Sequence, residues 1–83
     1  MLQLKIVSPE KVEYDGKAES VTVPGALGNF EILTNHAPII SSLIDGMVEY
    51  VTEKGERNQI TVTGGVVSVQ KNEVSLCVEK ALA

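Results

Sequence analysis

Apolar and polar residues alternate along most of the chain. Leu2, Leu4 and Ile6 fall on one side of an extended segment, and Gln3 and Lys5 fall on the other side. A period of two residues predicts a β-strand with one buried face. No stretch sustains the 3.6-residue period of an amphipathic helix. The pattern therefore predicts an all-β protein.

Turn residues divide this alternation into eight or nine short strands, centred on residues 2–6, 12–14, 21–23, 30–33, 39–44, 47–51, 60–62, 67–69 and 74–78. Asp15-Gly16, Asp45-Gly46 and Lys71-Asn72 have the composition of hairpin turns, and Gly64-Gly65 predicts a break. Many short strands at regular spacing predict a sandwich or a flattened barrel. Residues 79–83 have helical propensity, but they are too few to form a stable helix alone.

The charge is acidic and unevenly distributed. The 83 residues include seven Lys and Arg and eleven Asp and Glu, for a net charge of -4, and they suffice for one domain. A nucleic-acid binder needs a basic patch, so no nucleic-acid partner is expected. Residues 18–53 contain five acidic residues and neither Lys nor Arg. That half of the chain suits a partner that carries Lys or Arg.

Few side chains are available for chemistry. Cys77 and His36 are the only residues of their kinds, which argues against a disulfide scaffold and a zinc site. Glu13 and Asp15 would share a strand face, but a chain with three aromatic residues has little room for a pocket that separates their pKa values. The glycines at 25 and 28 lack the Lys-Ser/Thr ending of a phosphate-binding loop. We expect no catalytic residue, metal, cofactor or small-molecule substrate.

The same composition predicts a soluble protein. No stretch approaches the ~20 apolar residues of a membrane helix. Gln3 and Lys5 interrupt the first apolar run, so it does not resemble a secretion signal. A single cysteine fits a reducing compartment.

Residues 23–40 are richer in large apolar side chains than a solvent-exposed loop. Two Gly and two Pro alternate there with Leu27, Phe30, Ile32, Leu33, Ile39 and Ile40. Such a segment either folds back onto the core or meets a partner.

This segment resembles the signature of F-type ATP synthase epsilon subunits, which is roughly Pro-Gly-x-x-Gly-x-Phe/Leu-Gly-Ile-Leu-Pro-x-His-Ala-Pro-Leu. Residues 43–48 are similar to the family's Leu-x-x-Gly-x-Val/Ile, residues 64–69 to Gly-Gly-x-x-x-Val, and residues 72–81 to Asn-x-Val-Thr-x-x-x-Glu-x-Ala. Glu31 and Thr34 depart from the pattern, where the family often has Gly and Pro.

The resemblance spans residues 1–83 and implies the family's N-terminal domain, a flattened ten-stranded β-sandwich. Family members usually continue into a C-terminal helical hairpin, where some bind ATP; these 83 residues do not include that hairpin, so no nucleotide site is expected. The implied function is non-catalytic. On this resemblance the domain would couple rotation of the c-ring to the gamma subunit during proton- or sodium-driven ATP synthesis, peripherally at the cytoplasmic face of the bacterial inner membrane.

The resemblance also implies two sets of contact residues. The c-ring loops would meet Ala26, Leu27, Gly28, Asn29, Phe30 and Glu31, and the gamma subunit would meet Ser8, His36, Ala37 and Ser41. Asn29 or Glu31 is suited to bind an Arg of the c-ring loops by a hydrogen bond. Leu27, Ile39 and Ile40 are expected to divide between the core and the interfaces.

Other interpretations of the same residues stay open. Glu31 is equally a solvated charge at a strand end, and His36 is equally a loop residue bonded to nearby backbone. Two further alternatives for the whole chain are a free-standing sandwich that binds a small ligand, which needs a pocket with convergent polar groups, and a small hydrolase built around His36, which needs catalytic partners within ~3 Å of that ring.

Overall fold

The computed structural model describes residues 1–80, which form seven β-strands and no helix. The strands are β1 (Leu2–Val7), β2 (Val12–Gly25), β3 (Gly28–Ile32), β4 (Ile39–Leu43), β5 (Gly46–Thr52), β6 (Arg57–Gln70) and β7 (Glu73–Lys80). The prediction of an all-β sandwich is confirmed. Residues 79 and 80 belong to β7, whereas 81–83, the rest of the segment with helical propensity, lie outside the described residues.

Two sheets form the layers of the sandwich, and two long strands take part in both. Sheet I contains β4, residues 65–70 of β6, β7, β1 and residues 12–18 of β2. Sheet II contains β3, residues 18–25 of β2, β5 and residues 57–62 of β6. All neighbouring strands are antiparallel except β1 and β7, which are parallel.

Strand continuity differs from the sequence prediction. Nine short strands, or the ten that the resemblance implies, become seven because β2 covers the predicted strands at 12–14 and 21–23, and β6 covers those at 60–62 and 67–69. Each long strand bends where its ladder register shifts, between Ala18 and Ser20 in β2 and between Val62 and Gly64 in β6. Such bulges let a strand turn from one layer to the other without ending.

Gly16 lies within β2 and makes no hairpin turn. It pairs with Leu4 of β1, and a Cβ at this position would approach the Tyr14 hydroxyl to 3.0 Å. That hydroxyl donates a hydrogen bond of 2.7 Å to the carbonyl of Lys17. The glycine therefore makes room for a tyrosine that lies along its own strand, a use of Gly that turn statistics do not reveal.

Gly65 marks the bend in β6. Its φ is +147°, and a Cβ at this position would collide with the backbone carbonyl of Cys77. The sequence predicted a break at Gly64-Gly65, but β6 continues through both glycines as one strand, and the irregularity there is a shift of ladder register between Val62 and Gly64.

The core fills the space between the layers, and every strand contributes to it. The buried apolar residues are Leu2, Leu4, Ile6, Ala18, Val21, Val23, Ile32, Leu43, Val48, Tyr50, Val62, Val67, Val69, Val74, Leu76 and Val78. Their spacing follows the predicted alternation, most clearly in β1 and β7, where each second residue is buried. Within residues 1–80 no polar or charged residue is buried.

Candidate functional site: two surfaces and a hairpin tip

The segment 23–40 forms a hairpin and the connection that follows it. The ladder between β2 and β3 closes with Gly25 opposite Gly28, which leaves Ala26 and Leu27 at the tip. Leu27 is 104% exposed, so its side chain has no contact that shields it from solvent. Because the Leu27 side chain stays in water, it contributes no apolar burial to the free energy of folding. It is available for contact with a partner.

The base of this hairpin is fixed to the rest of the sandwich. The backbone N–H of Ile44 donates a 2.9 Å hydrogen bond to the carbonyl of Pro24, and Gly25 pairs with Leu43. A Cβ on Gly25 would come within 2.8 Å of the Phe30 ring, so the glycine is what lets that ring lie across the hairpin. The tip is thus held by a rigid support.

The residues expected at the c-ring are together on this hairpin. Ala26, Leu27, Gly28, Asn29 and Glu31 are exposed, whereas Phe30 is half-buried against the core. Glu31 pairs with Thr22 on the outer surface of sheet II. Of the three residues expected to divide between the core and the interfaces, Ile39 packs against the core, whereas Leu27 and Ile40 are exposed.

The residues expected at the gamma subunit lie in three places. Ser8 follows β1, His36 and Ala37 lie in the connection between β3 and β4, and Ser41 lies in β4. The Ser41 hydroxyl donates to the carbonyl of Ser42 at 3.1 Å. Ser41 pairs with the buried Val67, so it occupies the inward side of β4 near its open edge.

His36 interacts with nearby backbone. Its Nδ1 lies 2.7 Å from the carbonyl oxygen of Ala37, and its ring centroid lies 6.4 Å from that of Phe30. The Phe30 contact links the connection to the hairpin. The neighbours of the imidazole that the structure records are a main-chain carbonyl and a phenyl ring, neither of which is a catalytic partner.

Ser8 belongs to a polar cluster at the end of β1. Its hydroxyl donates a 2.9 Å hydrogen bond to the Glu13 carboxylate, which also accepts a 3.3 Å bond from the Lys80 ammonium. The Ser8 hydrogen bond, followed by the effects of Lys80 and Lys11, lowers the pKa of Glu13, although partial burial opposes the shift. Glu13 is therefore ionised at neutral pH.

Beside Ser8 lies an outer surface of sheet I that the sequence did not reveal. Ladder pairs place Ser42, Val66, Cys77 and Val7 in one row across four strands. The next row contains Ile40, Ser68 and Ser75, and it continues to the charged residues Lys5 and Asp15. We name the seven uncharged residues of these rows (Val7, Ile40, Ser42, Val66, Ser68, Ser75 and Cys77) the uncharged surface.

Two of its apolar residues are well exposed. Ile40 is 79% exposed and Val66 is 46% exposed, although the outer positions of an antiparallel strand are usually polar. A surface depression beside Ser8 is lined by Val7, Pro9, Val66 and Cys77, among others. The alternation of Val67, Ser68 and Val69 places Val66 on the outer side with Ser68, but the sequence does not show which residues of other strands lie beside it.

Sheet II has a different outer surface. Ladder pairs align Glu31, Thr22, Glu49 and Gln59 in one row. Glu49 accepts a 2.9 Å hydrogen bond from Gln59 and a 2.6 Å ion pair from Arg57. These two partners lower the pKa of Glu49, with Gln59 the larger cause. We name these five residues (Thr22, Glu31, Glu49, Arg57 and Gln59) the polar surface.

Other kinds of site are not supported by the part of the chain that the structure describes. Residues 1–80 contain no group of three His, Cys, Asp or Glu side chains that could hold a metal ion. In the same residues no helix has the length and apolar character to cross a membrane. Cys77 is a free, exposed thiol.

The fold and these features define a small β-sandwich whose distinctive residues lie on its outer surfaces and at one hairpin tip. The family described as "ATP synthase, Delta/Epsilon chain, beta-sandwich domain" matches residues 1–83. The chain belongs to this family, as the sequence resemblance predicted.

Individual relatives agree with the family. The chain is 43% identical over 76 residues to an ATP synthase epsilon chain of Leptospira borgpetersenii, and 44% identical over 75 residues to that of Gloeobacter violaceus. These matches cover 90% of this chain but only 58% and 56% of the two relatives. The chain therefore spans little more than half the length of these proteins.

Solved structures share the fold. A chain in the cryo-EM structure of the Euglena gracilis mitochondrial ATP synthase (OSCP/F1/c-ring) superposes with a TM-score of 0.89 at 19% identity, covering 98% of this chain and 52% of that one. A chain of the Tetrahymena thermophila mitochondrial ATP synthase central stalk and c-ring gives a TM-score of 0.79 at 17% identity, covering 95% of this chain and 63% of that one.

Proposed function

We propose that this chain is a non-catalytic central-stalk component of an F-type ATP synthase, which couples rotation of the c-ring to the gamma subunit. Its relatives are epsilon chains, and its structural neighbours come from assemblies that contain the c-ring or the central stalk. The domain would lie at the cytoplasmic face of the bacterial inner membrane, attached through the ring, and the coupling ion would be a proton or sodium.

One observation carries this proposal: a fully exposed leucine and an exposed apolar sheet surface occur on one small domain of this family. Association is favoured when apolar area that is already exposed leaves water, since no folding energy is lost. The hairpin tip is held rigidly at its base, which suits a contact that must carry load.

We assign the gamma subunit to the uncharged surface and its neighbours. Ser8 lies at one margin of this surface, and Ser41 lies between Ile40 and Ser42 in β4. His36 and Ala37 precede the same strand. The seven residues of this surface carry no formal charge, although Lys5 and Glu79 border them, so burying these seven against an apolar partner avoids the desolvation cost that charged groups bring.

We assign the c-ring to the hairpin, from Ala26 to Glu31. Leu27 would insert among the polar loops of the ring, while Asn29 and Glu31 accept hydrogen bonds from a basic residue there. Residues 18–53 carry no Lys or Arg that would repel such a residue. ATP chemistry takes place in another part of the enzyme.

The first test measures binding of the purified chain to recombinant gamma subunit by calorimetry. Val66→Lys places a charge at the centre of the uncharged surface and is expected to weaken binding about tenfold or more. Thr61→Lys adds the same charge to an exposed position of sheet II and is expected to leave the affinity within about twofold. Equal affinities for the two variants, or no stoichiometric complex with the wild-type chain, would contradict the assignment.

The second test concerns the ring. Glu31→Lys is expected to reduce binding to c-ring vesicles at low salt about fivefold, because it turns a favourable charge into a repulsive one. Glu53→Lys, in the β5–β6 turn, makes the same charge change away from the hairpin and serves as the control. Unchanged affinity for Glu31→Lys at low salt would remove Glu31 from the interface and leave it a solvated charge.

The alternative of a small-ligand site receives less support. It would need a pocket in which polar groups converge. A polar depression on the outside of the β6–β7 hairpin is lined by Ser68, Gln70, Lys71, Glu73 and Ser75. These are outward-facing strand and turn residues, and Ser68 and Ser75 among them belong to the uncharged surface.

A further inference from the structure

We propose that Asn72 is a positioning residue for gamma-subunit binding, although it lies outside both sets of contact residues. It would act by bonding to Asn35 and so holding in place the β3–β4 connection, which contains His36. This proposal rests on the proposed function for its binding partner, whereas the contact between the two asparagines is a property of the fold.

Two hydrogen bonds join Asn35 and Asn72 across the molecule. The backbone N–H of Asn35 donates to the Asn72 Oδ1 at 2.6 Å, and the Asn72 Nδ2 donates to the Asn35 Oδ1 at 3.2 Å. The partners are 37 residues apart in sequence, so the pair joins the β3–β4 connection to the β6–β7 turn. We name this pair of hydrogen bonds the asparagine clasp.

The local backbone brings Asn35 into position. The N–H of His36 donates to the carbonyl of Leu33 at 3.1 Å, which makes Thr34 and Asn35 the central residues of a turn. Asn35 has φ of 68°, and asparagine is among the few residues that adopt this conformation readily. The turn directs the Asn35 N–H and amide toward Asn72, and His36 follows directly.

Asn72 is fixed from its own side. Lys71 and Asn72 have φ of 50° and 63°, the positive values that a two-residue type I′ hairpin turn requires. The Asn72 carbonyl also accepts a 2.8 Å hydrogen bond from the N–H of Gln3, at the start of β1. One residue thus ties β1, the β6–β7 turn and the β3–β4 connection together.

The clasp matters because the connection has few other restraints. Residues 33, 34, 35, 37 and 38 are exposed, and His36 is only half-buried. His36 and Ala37 belong to the expected gamma contact, and they are one and two residues from Asn35. Ordering this segment before binding lowers the entropy lost on association, so losing the clasp weakens binding without removing a contact.

The experiment compares Asn72→Gly with Lys71→Gly in the 83-residue chain. Both variants put glycine into the same turn, where positive φ is allowed, but only Asn72→Gly removes the clasp. Asn35→Gly is a third variant, which keeps the turn and the donor N–H and loses only the weaker bond. Amide hydrogen exchange and ¹⁵N relaxation of Asn35, His36 and Ala37 report on the connection, and calorimetry reports on gamma binding.

We expect Asn72→Gly to speed exchange of the amide at 35 about tenfold and to weaken gamma binding about fivefold, which corresponds to one hydrogen bond. Lys71→Gly is expected to change neither, and Asn35→Gly to fall between them. If Asn72→Gly and Lys71→Gly have the same exchange rates, the clasp does not order the connection. If exchange rises and affinity does not fall, Asn72 has no role in binding. A wild-type chain that fails to bind gamma refutes the proposed function instead, and the exchange data still decide the clasp.

Discussion

The outer surfaces of the two sheets differ although both sheets cover the same core. On the polar surface of sheet II, Glu49 forms an ion pair with Arg57 and accepts a hydrogen bond from Gln59, both on the neighbouring strand. On the uncharged surface of sheet I, exposed Val66 lies opposite exposed Cys77, and hydroxyls and apolar groups surround them. Glu49 is thus paired within its own sheet and needs no partner molecule, whereas Glu31, at the hairpin, is exposed. The exposed apolar groups of the uncharged surface leave water only when another molecule covers them.

The largest effect is expected where one strand passes from the polar to the uncharged surface. Gly65→Ala places a methyl group against the carbonyl of Cys77 at a φ of +147°, so β6 cannot remain against β7 without strain. We expect the free energy of unfolding to fall by at least about 3 kcal/mol. Urea denaturation followed by circular dichroism measures it, and loss of the native spectrum would count as the same result.

Gly64→Ala is the matched control for that substitution. The nearest atom to a Cβ at Gly64 is the carbonyl oxygen of Leu43 at 3.7 Å, an ordinary contact. Its φ is not positive, so the change is expected to alter stability by less than about 1 kcal/mol. Equal losses at both positions would mean that the bend does not depend on the close approach to Cys77.

A second effect separates the inner and outer sides of a single strand. Val67 is fully buried, so Val67→Ala is expected to lower the free energy of unfolding by about 2 kcal/mol through lost burial and a cavity. Val66→Ala is expected to lower it by less than about 1 kcal/mol, since that side chain already faces solvent.

Gamma binding should rank the same pair in the opposite order, with Val66→Ala weakening the complex and Val67→Ala leaving it unchanged under conditions where the chain is folded. Thermal denaturation and calorimetry on the same samples give both rankings. If Val66→Ala lowered stability as much as Val67→Ala, the difference between the inner and outer sides would be disproved.

The smallest effect concerns acid sensitivity on the polar surface. Gln59 and Arg57 depress the folded-state pKa of Glu49 below its unfolded value, so its contribution to stability is present above the unfolded pKa and is lost as the pH falls through the folded pKa. We expect Glu49→Gln to lower Tm slightly at about pH 7 and to have no effect at about pH 3.

Two variants serve as controls for this change. One is Arg57→Gln alone, and the other combines Arg57→Gln with Glu49→Gln. High salt should reduce the difference at neutral pH, because the pair is exposed. A Tm difference between Glu49→Gln and the wild type that is the same at both pH values would show that ionisation of Glu49 is not its cause.

The sequence predicted the layers better than it predicted the path of the chain between them. Alternation identified the buried residues of β1 and β7, because each side of those strands is purely apolar or polar. It did not reveal that β2 and β6 each cross both sheets. Asp15-Gly16 has the local composition of a turn, but pairing of Gly16 with Leu4 keeps the strand extended.

The site was predicted in part, and for physical reasons. Residue order places Ala26 to Glu31 on one hairpin, so their proximity follows from the sequence once the turn is recognised. Val66 lies in one row with Ser42, Cys77 and Val7 only because of ladders between distant strands, and these registers are not visible in a single sequence. The pairing of Asn35 with Asn72 is hidden for the same reason.

The continuity of β2 and β6 has a mechanical consequence. In a sandwich whose layers touch only through side chains, a twisting force on one layer is opposed by dispersion contacts, which slide when loaded. Here the covalent backbone runs from each layer into the other at two bends, one near Ser20 and one near Gly64. Sliding of one layer over the other would therefore have to distort the backbone of β2 and β6 or break ladder hydrogen bonds. For this reason we expect the domain to resist torsion.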